Sequence, residues 1–73
     1  DLGAFAKKYS LTKRETEVLE ALLNFDDSAK DLAKQLFISR AALYRHISSL
    51  NEKTGTKSRI GLIQFYYQQK NEE

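Results

Sequence analysis

One stretch constrains this chain more than any other: SRAALYRHISSLNEKTG, residues 39–55. Leu43, Ile47 and Leu50 recur at i, i+4 and i+7, which puts them on one side of a helix and fits no strand. Ser39 has the chemistry of an N-cap, a side-chain oxygen able to accept from a free N–H of the first turn. Gly55 stands where a helix ends in a left-handed residue, a conformation penalised by any Cβ. Ala41, Tyr44, Arg45 and Ser48 fall away from the apolar stripe. A helix with one gripping face and one free face needs other helices to hold it.

The flanking sequence supplies them. Thr12-Lys13-Arg14-Glu15 has the form of a capping box, opening a helix that ends near Asn24 with Val18, Leu19, Leu22 and Leu23 inward. Glu15 and Glu17 fall on different sides of it, so they read as a cap and as ion-pair partners for Arg14 or Lys13, not as a catalytic pair. Ser28, with Asp31 three residues on, caps a short helix from about Ala29 to Leu36, with Leu32, Ala33 and Leu36 inward. Phe37-Ile38 then forms a tight apolar turn into the 39–54 helix, the pattern of a helix-turn-helix. After Gly55, Ser58 or Lys57 opens a last helix, apolar on more than one side. Residues 1–10 read as a linker or a short N-terminal helix packing Phe5, and residues 69–73 as a frayed tail. With no Pro and three Gly in 73 residues, the expected fold is all-α: a compact four-helix domain spanning 11–68, with room for a short extra N-terminal helix.

The net charge of +2 conceals a division. Residues 28–59 hold seven Lys and Arg against two acids, while the rest of the chain is net acidic. A basic zone centred on the free-faced helix is what an anionic partner requires, and a braced helix of this width fits the major groove of double-stranded DNA. There is no Cys, no run long enough to span a membrane and no signal-peptide pattern, which fits a cytoplasmic protein without membrane contact. The opening on Asp fits a piece of a longer protein. No Ser-His-Asp set, phosphate loop or metal-ligand spacing occurs; no catalytic residue, metal or cofactor is expected. The single histidine, His46, flanks the apolar stripe and reads as half-buried and hydrogen-bonded.

LTKRETEVLEAL, SAKDLAKQLFIS, the His-Ile of YRHISSL and KTGTKSR, in series and without gaps from about Leu11 to Ile63, resemble the LuxR-type (GerE-like) DNA-binding domain of bacterial transcription regulators. The resemblance implies a response-regulator-like output domain whose third helix reads the major groove. It also implies dimerisation through the last helix and an upstream regulatory domain. Four positions depart from the usual pattern: Asp26 for Gly, Ala42 for Thr, Tyr44 for Lys, and Thr54 for an apolar residue.

On this reading Arg45, Tyr44, Ser48 and Ala41 face base edges, Arg45 with a guanidinium able to bond guanine O6 and N7 together. Ser28, Lys30, Arg40, Lys53, Lys57 and Arg59 face phosphates. Ile60, Ile63 and Tyr67 offer a surface for a second copy or another partner. Two rivals share the fold: a protein-interaction module, and a promoter-reading domain like that of a sigma factor.

Overall fold

The computed structural model describes residues 1–72 and is all-helical over them. Its helices are α1 (Leu2–Lys8), α2 (Lys13–Asn24), α3 (Ala29–Gln35), α4 (Arg40–Thr54) and α5 (Arg59–Asn71). The radius of gyration of 11.4 Å is that of a fully packed chain of this length, about 11 Å.

Each helix begins where its side chains can satisfy the free N–H groups of a first turn. Thr12 Oγ1 accepts from the Glu15 N–H at 3.0 Å while Glu15 Oε1 accepts from the Thr12 N–H at 2.8 Å, a complete capping box. Ser39 Oγ accepts from Ala42 N at 3.0 Å, and Ser58, not Lys57, caps α5 through Gly61 N at 2.9 Å. Left-handed residues follow three of the helices, Ser10 after α1, Phe37 after α3 and Gly55 after α4, whereas α2 ends on an extended Phe25. Past α3, Phe37 N donates to Lys34 O and Ile38 N to Ala33 O, the paired bonds of a Schellman end with Phe in the position that glycine usually fills. Asp26 has no positive φ, so the α2–α3 turn carries Asp in place of Gly without a left-handed residue there.

The core is built from one side of every helix. Val18, Leu19, Leu32, Leu43, Leu50 and Leu62 are its fully buried members. Helix α4 packs against α2, α3 and α5, and its buried stripe continues past Leu43, Ile47 and Leu50 to Thr54. That threonine is satisfied: its hydroxyl donates to Leu50 O at 2.8 Å, and Thr56 Oγ1 lies 2.8 Å from both Thr54 Oγ1 and Asn51 Oδ1, with one proton to give to either. The departure from an apolar residue is absorbed by a small polar knot beneath Gly55.

Residues 2–8 are helix, and they close the fold. Phe5 is buried and meets the Tyr66 ring edge-on at 5.1 Å, while Tyr9 meets Phe65 at 5.6 Å. Gln69 Oε1 accepts from both Lys8 Nζ and Tyr9 OH. The tail expected to fray from 69 therefore continues as helix through Asn71, because α1 packs against it; residue 73 lies outside the described residues. No helix among the described residues is long and apolar enough to cross a membrane.

Candidate nucleic-acid interface

Three sides of α4 have different fates, and the periodicity of a helix sorts them. Leu43, Ile47, Leu50 and Thr54 are buried. Ala42, His46 and Ser49 are half-buried along a flank that Lys53 continues. Ala41, Tyr44, Arg45 and Ser48 are all exposed, and their spacing of i, i+3, i+4 and i+7 makes them one continuous ridge. Tyr44 retains 57% of its surface, so it projects outward and does not fold back on Leu43. The four residues expected to face base edges are thus brought together on a helix fixed from behind.

The expected phosphate set is divided by the structure. Lys30, Arg40 and Lys57 are exposed and flank the ridge in sequence. Ser28 is exposed, but its hydroxyl is engaged with Asp31, accepting from the backbone N–H and donating to the carboxylate at 3.2 Å. Arg59 is half-buried and donates to the Phe25 carbonyl at 3.4 Å, tying the start of α5 to the α2–α3 turn.

Lys53 departs most from expectation. Its ammonium lies 2.6 Å from Glu15 Oε1 and also donates to Ser10 O at 3.0 Å, so although the residue is exposed its charge is paired within the domain. Glu15 is only 5% exposed and accepts in addition from Ser49 Oγ. Burial alone pushes this carboxyl up. The Lys53 and Ser49 hydrogen bonds, the Thr12 backbone bond and the Lys53 charge outweigh it and hold the pKa down at about 2, against an ordinary 4.5. The cap expected of Glu15 and a local ion pair of the expected kind, Arg14 with Glu17 at 3.5 Å, are both present. Arg14 also donates to the Leu36 carbonyl at the end of α3. The reach of Glu15 to Lys53 comes in addition. No short-range signal reveals a pair formed across two helices.

His46 is half-buried as expected, but its ring has no hydrogen-bond partner among the described residues. No group of three or more His, Cys, Asp or Glu able to hold a metal occurs among the described residues.

On α5, Ile60 and Tyr67 are 68% and 43% exposed. Ile63, on the same side, is half-buried and packs partly on the core, so the outward patch rests on Ile60 and Tyr67 with Ile63 between them. One exposed aromatic side chain was not anticipated. Phe37, read as part of an apolar turn, is 94% exposed at φ +58°, because its place at the end of α3 turns it away from the core.

The sequence profile described as bacterial regulatory proteins, luxR family, matches residues 9–66. The spore germination protein GerE of Bacillus subtilis is 46% identical over 55 residues, covering 75% of this chain and 73% of that protein. A UPF0122 protein of Acetivibrio thermocellus is 37% identical over 62 residues, covering 84% of this chain and 53% of its own length. No solved structure gives a significant match.

Proposed function

The chain belongs to the luxR family of bacterial regulatory proteins, DNA-binding regulators of transcription and not a class of enzymes, and on that premise we propose that it reads a specific DNA site by inserting α4 into the major groove. Arg45 takes the base-specific role, bonding the O6 and N7 of a guanine. Tyr44 sets its ring against a thymine methyl or its hydroxyl on a phosphate, and Ser48 and Ala41 complete the ridge. Lys30, Arg40 and Lys57, with Arg59 and Ser28 at the margin, hold the phosphate backbone. Residues 11–68 are the DNA-binding domain of a cytoplasmic regulator, with α1 as a brace and a regulatory domain elsewhere in the protein. A second copy joins through Ile60, Ile63 and Tyr67 of α5, which suits an inverted-repeat site.

The observation that carries this reading is the outward ridge of Ala41, Tyr44, Arg45 and Ser48 on a helix whose opposite side is buried. Selection of binding sites from random DNA duplexes tests it. Enrichment of one motif, in two half-sites related by symmetry, is the expected result; recovery of random sequence would count against it. A second reading, a module that binds protein, is favoured by the exposed apolar side chains of Ile60 and Tyr67. The same selection separates the two.

A further inference from the structure

We propose that Glu15 is a specificity-determining positioning residue, which acts by withdrawing the Lys53 ammonium from the phosphate-binding set and by fixing the rotation of α4 about its own axis. This rests on the reading of α4 as the DNA-reading helix.

The geometry gives Glu15 both tasks. It occupies the third position of α2, where the capping box with Thr12 pins its carboxylate. From there it receives Ser49 Oγ and Lys53 Nζ, two residues one turn apart on the half-buried flank of α4. A carboxylate held by its own helix that grips two successive turns of another opposes rotation of that second helix. Rotation by one residue, about 100°, would break both bonds and move Arg45 off the outward ridge. Lys53 is held further by the Ser10 carbonyl in the α1–α2 turn, where the left-handed Ser10 ends α1.

The electrostatic consequence is separate from the geometric one. Each cation that meets a phosphate adds affinity for any sequence, because released counterions do not depend on the bases. A lysine at the end of the reading helix would be expected to join that set. Paired with a buried carboxylate it contributes little net charge, so a larger share of binding rests on the base-facing ridge.

The test uses the whole chain, a duplex selected by the wild-type protein and a scrambled duplex of the same composition, from about 50 to 200 mM salt. Lys53→Met should leave the salt slope on scrambled DNA unchanged. Glu15→Gln keeps an acceptor for Thr12 but frees the lysine. It should steepen the slope by about one unit, strengthen scrambled binding severalfold and reduce the ratio of selected to scrambled affinity. In the double variant the slope should return to the wild-type value while the ratio stays low. Thermal melts of each variant report the folded fraction at the assay temperature; loss of folding alone lowers both affinities together and leaves slope and ratio unchanged. A slope that falls by about one unit in Lys53→Met would show a phosphate contact and overturn the proposal. So would a folded Glu15→Gln with wild-type slope and ratio. If Glu15→Gln does not fold, the Lys53→Met slope decides alone. Wild-type protein that binds neither duplex would instead remove the DNA-reading mechanism on which the proposal stands.

Discussion

Glu15 and Lys53, 38 residues apart in the chain, meet at 2.6 Å where the first turn of α2 faces the last turns of α4. This half-buried contact ties stability to pH. The folded carboxyl sits at about 2 and the unfolded one near 4.5, so its contribution is complete above about pH 5 and is lost as pH falls from 4.5 toward 2. The shift corresponds to roughly 3 kcal/mol; solvent at Lys53, whose side chain is 32% exposed, trims this to about 2 kcal/mol. Urea melts should show Glu15→Gln destabilised by about that amount at pH 7. The gap should narrow as the pH is lowered through 4. A gap that does not change with pH would exclude the ionised pair as its source.

Arg45 touches nothing that the fold needs. Arg45→Ala should leave the melting temperature unchanged and weaken binding to a selected site by about 1–3 kcal/mol, read by titration against that site and one changed at the contacted base pair. Equal loss on both sites would reassign Arg45 to a phosphate.

Affinity should fall steeply with salt. Three to five phosphate contacts from Lys30, Arg40, Lys57, Arg59 and their neighbours imply a log–log slope of about −3 to −4.5. A flat profile would turn the balance toward a protein partner.

Phe37 holds a left-handed backbone while burying almost nothing, an arrangement that costs roughly 1 kcal/mol. Phe37→Gly should therefore stabilise the domain by about that amount, raising Tm by about 4–8 °C for a chain of this size. A lower Tm would reveal a contact made by the ring.

Self-association through α5 should be weak and should depend on Ile60. Ile60→Glu, at a site already open to water, should leave folding intact and abolish any dimer seen by sedimentation, with or without DNA. A strictly monomeric wild type at high concentration, in both conditions, would argue against the α5 interface.

Most of the fold could be read from local chemistry, because caps and terminators act within one turn. Thr12, Ser28, Ser39 and Gly55 marked helix ends to within a residue, and Leu43, Ile47 and Leu50 marked the buried side of α4. What escaped depended on residues far apart in sequence. Residues 1–10 read equally as a linker or as a short helix packing Phe5; local spacing does not tell that Phe5 meets Tyr66 or that Gln69 accepts from Lys8 and Tyr9. Lys53 looked like one more surface cation because the position of Glu15 beside it depends on how α2 crosses α4. Phe37 was missed for a different reason: a left-handed turn is signalled by glycine, and this one has none. The ridge residues of α4 were legible as a set, since helical spacing alone groups them.

The packing of α1 onto α5 also has a kinetic meaning. Helices α2 to α5 are joined by short turns and find their neighbours locally, a topology that folds in microseconds to milliseconds. With no proline in the sequence, no slow isomerisation should delay it. The two ends of the chain are joined by Phe5 and Tyr9 against Phe65 and Tyr66 and by Gln69 with Lys8 and Tyr9, so that seam should zip last. In hydrogen exchange it should also be the first to open, with the amides of α1 and the end of α5 exchanging long before those of α4.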